Sequence, residues 1–115
     1  DVFIVNFANG DMVGHTGNKQ ALKKAIEAVD VQIKRIVQQF PGTILITSDH
    51  GNCEDKRAAW ETSHTLHPVP LLLVNSKRKL KATGGLADVA PTILELLKIK
   101  QPREMTGKSL LVKEK

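Results

Sequence analysis

Leu22, Ile26, Val29, Ile33, Ile36 and Phe40 recur at gaps of 4, 3, 4, 3 and 4, and no other feature constrains the fold of this 115-residue chain as much. That spacing lays one continuous apolar stripe along a helix predicted over residues 18–39, which Pro41 and Gly42 then stop. A stripe of that length needs an apolar surface to cover it. Two flanking segments can supply one: VFIVNFA at residues 2–8 and TILITSD at 43–49 are short, nearly continuous apolar runs rich in β-branched residues. Such runs are the pattern of strands buried on both faces. PVPLLLVN at 68–75 reads as a third strand, with Pro70 near its start, where a missing N–H does least harm. Asp88 is placed to cap a helix over 89–98, with Pro91 in the first turn. EMTGKSLL at 104–111 reads as a turn and a short apolar tail.

The order βαββα places the chain in the α/β class, as a partial, mainly parallel sheet with flanking helices. Parallel sheets need cover on both faces, and two helices over three strands give little. Part of the fold is therefore expected to be missing or to come from another chain. Length alone is compatible with a single domain that buries roughly two thirds of its unfolded surface.

Charge is unevenly spread. The net charge is +5, but residues 1–76 carry 7 Lys/Arg against 8 Asp/Glu, while residues 77–115 carry 10 against 4. The densest basic run, KRKLK at 77–81, follows an apolar strand, where a solvated turn is its ordinary role. With three Phe, one Trp and no Tyr there is little aromatic surface for stacking bases, so nucleic acid is not an expected partner. No apolar run approaches the about 20 residues that span a bilayer, and the first residues lack the basic n-region of a secretory signal. A lone Cys53 forms no internal disulfide. The expected setting is cytoplasmic, away from membranes.

The chemistry-bearing residues gather at strand ends. NFANGDMVGHTG at 6–17 holds Asp11 and His15 four apart among glycines; Asp49 and His50 end the second strand; His64 and His67 precede the third. Ligands of open α/β sheets bind at the carboxyl ends of strands. A mixed Asp/His set suits manganese or zinc better than calcium or magnesium. Each pair taken alone is an ordinary polar turn. Together, five or six such groups exceed one tetrahedral site and point to two metals, whose usual work is to clamp a phosphoryl or carbonyl centre. His67, between Leu66 and Pro68, reads as structural or as a support to a ligand, Trp60 as packing and Cys53 as an inert small residue. Ser48 and Ser63 lack the strand-to-helix elbow of hydrolase nucleophiles, so no catalytic nucleophile is assigned in the chain.

VNFANGDMVGHTG, TSDHGNCE, SHTLHPVP, GGLADVAPTILELL and EMTGKSL, in this order, closely resemble the C-terminal portion of cofactor-independent (2,3-bisphosphoglycerate-independent) phosphoglycerate mutases, within the alkaline phosphatase superfamily. The resemblance covers essentially residues 1–115. It implies an alkaline-phosphatase-like metal domain, cytoplasmic and glycolytic, in an intact enzyme that is a monomer and interconverts 3-phosphoglycerate and 2-phosphoglycerate through a phosphoserine with two divalent ions, Mn2+ in kind. It implies further that Asp11, His15 and His64 ligate one ion and that Asp49 and His50 contribute to the other. The serine nucleophile, one more aspartate and most substrate-binding groups belong to the N-terminal remainder of such enzymes. The chain by itself is therefore expected to bind manganese weakly at most and to lack mutase activity. Gly10 stands where the family usually has Pro and His67 where it usually has Asn, and the loop from His50 to His64 looks shorter than is common. Two other readings stay open: another phosphotransferase or hydrolase of the superfamily, such as a phosphopentomutase, phosphatase or sulfatase, or a small basic binding module with an incidental metal site.

Overall fold

In a computed structural model, residues 1–55 and 62–113 are described; the reading of Trp60 falls outside them. The elements in chain order are helix α1 (Asn9–Gly14), helix α2 (Lys19–Gln39), strands β1 (Ile44–Thr47) and β2 (Leu71–Val74), a 3-10 turn at Leu86–Asp88, and helix α3 (Val89–Leu96). The chain is thus α/β, with β1 and β2 paired in a two-stranded antiparallel sheet; the mainly parallel sheet expected from the order of apolar runs is not seen among the described residues. It divides into two compact units, Asp1–Leu72 and Leu73–Lys115.

In the first unit the periodic stripe forms α2 as expected. Asn18 caps it, its side-chain oxygen accepting from the N–H of Ala21 at 3.0 Å and so satisfying one of the partnerless donors of the first turn. The Phe40 N–H still reaches the Ile36 carbonyl at 2.8 Å, and Pro41 ends the run. Leu22 is buried, but Ile26, Ile36 and Phe40 stay exposed, so the stripe is only partly covered.

The first predicted strand does not form. Residues 1–7 lie in no regular element, and Val2, Phe3, Ile4 and Val5 are exposed, Ile4 at 90%. The physical reason is partnership: a strand exists through the ladder it shares with neighbours, and no strand beside this run is present among the described residues. Phe3 instead meets the Phe40 ring edge-on, with centroids 6.2 Å apart. The two strands that do form are shorter than predicted and are not buried on both faces, since Thr47 and Leu72 are exposed.

The second unit is built around residues that the sequence pattern presents only as a short apolar tail. Leu110 and Leu111 are its buried apolar core. Leu80 and Leu111 form an antiparallel bridge, flanked by Lys81 N–H to Leu110 carbonyl at 2.7 Å and Val112 N–H to Lys79 carbonyl at 2.8 Å. The basic run is therefore more than a solvated turn. Arg78 donates to Glu95 Oε1 at 2.9 Å and to the Val112 carbonyl at 3.3 Å, and Lys81 Nζ donates to the Ser109 carbonyl at 2.6 Å.

Asp88 sits at the N-cap of α3 but does not cap it. Its carboxylate accepts the Gly85 N–H at 2.9 Å and the Lys108 N–H at 2.7 Å, tying the 3-10 turn to the segment around Gly107. That approach requires glycine: a Cβ at Gly107 would lie 2.0 Å from the Ala87 carbonyl oxygen. Thr92, 0% exposed, donates to the Asp88 carbonyl and accepts from the Leu110 N–H. α3 ends with Lys98 at φ 57° and paired bonds, Lys98 N–H to Glu95 carbonyl and Ile99 N–H to Leu94 carbonyl, a Schellman close that satisfies the last carbonyls.

Candidate metal centre

All five predicted ligands, Asp11, His15, Asp49, His50 and His64, fall in the first unit. Asp11 and His15 do not lie on a turn, as the glycine-fenced stretch suggested, but on and just after α1. The His15 N–H bonds the Asp11 carbonyl at 3.2 Å, so the two side chains, four residues apart, share one face of a helical turn. The Thr16 N–H and hydroxyl both return to the Val13 carbonyl, and Gly17 at φ 68° turns the chain into α2. The pair is thereby held close to the start of the longest rigid element of the unit.

Three imidazoles converge on a single oxygen. Asp11 Oδ1 lies 3.2 Å from His15 Nε2, 3.0 Å from His64 Nε2 and 3.8 Å from His50 Nε2. His15 Nε2 and His64 Nε2 are 3.1 Å apart, and the His50 and His64 rings stack at 3.6 Å between centroids. His15 is oriented from behind: its Nδ1 donates to the Thr62 carbonyl at 2.8 Å, and Nε2 faces the cluster, where the neutral ring would present its lone pair. Among the described residues Asp11, His50 and His64 form a group whose ligand atoms all lie within 4.8 Å of one another. Asp49 stands apart. Its side chain is 84% exposed, and its nearest cluster neighbour is His50 Nε2 at 3.5 Å.

The donor set fits a small divalent cation. Bonds of about 2.0–2.1 Å in a tetrahedral arrangement separate the donor atoms by roughly 3.3 Å, close to the 3.0–3.2 Å among Asp11 Oδ1, His15 Nε2 and His64 Nε2. Two imidazole nitrogens and a carboxylate oxygen also have the mixed hardness that zinc and manganese accept. The Asp11 carboxyl is held below the usual carboxylate range, chiefly by the Asn52 amide, with the imidazoles of His15, His64 and His50 adding to it. Asp11 therefore presents a full negative charge at neutral pH.

The sequence reading missed the supports. Asn52 Nδ2 donates to Asp11 Oδ1 at 2.7 Å. The Asn52 N–H donates to Glu54 Oε2 at 2.7 Å, the Thr65 hydroxyl donates to Glu54 Oε1, and the Thr65 N–H reaches the Gly51 carbonyl at 2.8 Å. Burial pushes the Glu54 carboxyl up, but these donors, the Thr65 hydroxyl foremost, outweigh it and leave it lowered. Glu54 thus braces the segment of His50 against the segment of His64. For Asn52 and Glu54 the only sequence signal is the polar density of HGNCE, and Thr65 has none. Cys53 Sγ points to the Gly10 carbonyl at 3.3 Å, and Ser48 Oγ donates to the His50 carbonyl at 2.7 Å; both are packing roles. His67, taken as structural, pairs with the buried Asp55 at 3.6 Å. A cleft of about 320 Å³ opens beside the cluster, lined by Phe7, Asp11, Asp49, His50 and Pro68 among others.

Comparison with known proteins agrees with this chemistry. The chain is 50% identical over 118 residues to a 2,3-bisphosphoglycerate-independent phosphoglycerate mutase of Rhodopseudomonas palustris and 51% identical over 117 residues to one of Mycoplasma genitalium; each alignment covers 96% of this chain and 23% of the relative. It is 54% identical over 122 residues to 2,3-bisphosphoglycerate-independent phosphoglycerate mutase 2 of Methanosarcina barkeri, covering 99% of this chain and 23% of the relative. The chain thus spans about a quarter of the length of these relatives, and the resemblance read from its motifs holds. The sequence model of the Metalloenzyme superfamily matches residues 1–101, and to that superfamily the chain belongs.

Proposed function

We propose that this chain carries part of the two-metal centre of a 2,3-bisphosphoglycerate-independent phosphoglycerate mutase, an isomerase that interconverts 3-phosphoglycerate and 2-phosphoglycerate. The observation that supports this most directly is the convergence of three imidazole nitrogens on Asp11 Oδ1. The names of the relatives supply the reaction. In this reading residues 1–115 are the C-terminal part of an alkaline-phosphatase-like metal domain whose mainly parallel sheet is supplied for the most part by the rest of the enzyme. Asp11, His15 and His64 would hold one ion; Asp49 and His50 would contribute to a second, completed by groups outside the chain. The pair of ions, Mn2+ by preference, supplies charge neutralisation at a transferring phosphoryl group and acidifies a serine hydroxyl.

The chain's own residues have narrower tasks. Asp11 brings the negative charge that draws a cation between the histidines. The Thr62 carbonyl fixes the tautomer of His15, and Glu54 keeps the His50 and His64 segments in register. The cleft beside them is at the lower end of the about 300–1,000 Å³ typical of small-molecule sites. No nucleophile is assigned among the described residues, and in this reading the phosphoryl acceptor belongs to the remainder of the enzyme. The intact enzyme is a cytoplasmic monomer in this reading.

Metal analysis and a mutase assay test the reading together. The chain alone is expected to bind Mn2+ weakly and to be inactive, and activity is expected when the separately expressed remainder is added. If activity never appears and Asp11→Ala leaves the metal content unchanged, the proposal fails.

A further inference from the structure

We propose that Asn52 is a positioning residue for Asp11, turning its carboxylate so that a single oxygen, Oδ1, faces the imidazole nitrogens and acts as a one-oxygen donor. This rests on the metal-centre reading above and deepens it. The amide nitrogen of Asn52 sits 2.7 Å from Asp11 Oδ1. The carboxylate of Asp11 can only accept, so the amide is oriented with its N–H toward it and not its oxygen. One lone pair of Oδ1 is thereby taken, and rotation of the carboxylate about its stem is opposed.

Asn52 is itself immobilised. It is 5% exposed, and its N–H is fixed to Glu54 Oε2 at 2.7 Å. Its side chain fills the space over Gly14: a Cβ there would lie 2.5 Å from Asn52 Oδ1. The helix that carries Asp11 and the segment that carries His50 are thus joined through one buried amide. Outer groups of this kind set the orientation of ligands and typically contribute as strongly as about 10- to 100-fold in metal affinity. A carboxylate limited to one oxygen also favours low coordination numbers and disfavours calcium, which takes six to eight oxygens.

The test uses Co2+ as the probe. The 115-residue chain is stripped with chelator and titrated, reading both the dissociation constant and the visible d–d absorption at saturation. Asn52→Ser and Asn52→Leu are expected to weaken Co2+ binding about 10- to 100-fold. They are also expected to lose absorption intensity per ion, because a carboxylate free to engage both oxygens raises the coordination number. Cys53→Ala, its neighbour in sequence and also packed on the α1 segment, is expected to change neither quantity. Should Asn52→Leu fail to fold, Asn52→Ser, which removes bulk and not solubility, decides the matter. Unchanged affinity and spectrum in a folded Asn52→Ser chain overturn the positioning role alone. A parent chain that takes up no Co2+ even when the separately expressed remainder of the enzyme is added overturns the metal reading and this inference together.

Discussion

Gly14→Ala changes no ligand, yet it is expected to disturb Asp11. Gly14 ends α1 with an ordinary helical backbone, so alanine has no conformational objection there and, on helix propensity, gains at most about 1 kcal/mol. The objection is spatial. The new methyl would stand 2.5 Å from Asn52 Oδ1 and 2.9 Å from its Cγ, and the buried amide must move away from the bond it makes to Asp11. A hydrogen bond to a charged group is worth about 1.5–3 kcal/mol, and because the Asp11 side chain keeps 38% exposure, the lower end applies. The net expectation is a loss of about 0.5 kcal/mol in the parent. In an Asn52→Ser background, where the space is open and the bond already gone, the same substitution becomes stabilising by up to about 1 kcal/mol. Urea unfolding of the four chains of this double-mutant cycle measures the coupling, about 1.5 kcal/mol. A Gly14→Ala chain stabilised equally in both backgrounds would refute the steric argument.

Three further expectations concern the second unit. Thr92→Val keeps the shape of a fully buried side chain but leaves the Leu110 N–H without its acceptor, a cost of about 1–3 kcal/mol visible in urea midpoints. Leu111→Ala empties the best-buried apolar position, 2% exposed, at about 2–5 kcal/mol, and is expected to lose the antiparallel bridge to Leu80 in amide exchange. Asp88 has its carboxyl lowered, first by the Lys108 N–H and then by that of Gly85. A depressed folded value means stability that is complete above the unfolded value of 3.8 and lost as pH falls through the folded one. Acid titration of the melting temperature is expected to show that loss in the parent and a smaller one in Asp88→Ala.

Periodicity made most of the backbone readable. The stripe from Leu22 to Phe40 located α2 to within a residue, and β1, β2 and α3 fell inside their predicted ranges because each has a local signal and a stop. The run at residues 2–8 carried the same apolar signal as β1 and formed no strand. Composition tells that a segment suits a sheet; it does not tell whether a neighbour is present to hold it. Leu110 and Leu111 erred the other way, since nothing near them in sequence reveals the strand-like partner at 79–81 that buries them.

For the candidate site, residue types beside apolar runs were enough to single out Asp11, His15, His50 and His64, which the fold brings together, although the run before Asp11 is not a strand. They did not show that His50 would stack on His64 while Asp49 stayed in solvent, because adjacent residues at a strand end point in different directions. Asn52, Glu54 and Thr65 were illegible for a further reason: their roles are hydrogen bonds to one another and to backbone groups across the fold. A polar side chain in a loop announces no such partner.

Asp11 and His64 lie 53 residues apart in sequence and 3.0 Å apart in space. Any cation that needs both therefore closes a long loop of chain, and its binding free energy becomes folding free energy. At a free-ion concentration 100 times the dissociation constant the gain is about 2.7 kcal/mol. For a chain whose buried large aliphatic residues, among those described, are Leu22, Leu110 and Leu111, that is a large increment. The histidine cluster is in this sense a reversible staple, giving a chain with one cysteine the kind of crosslink that a disulfide gives elsewhere.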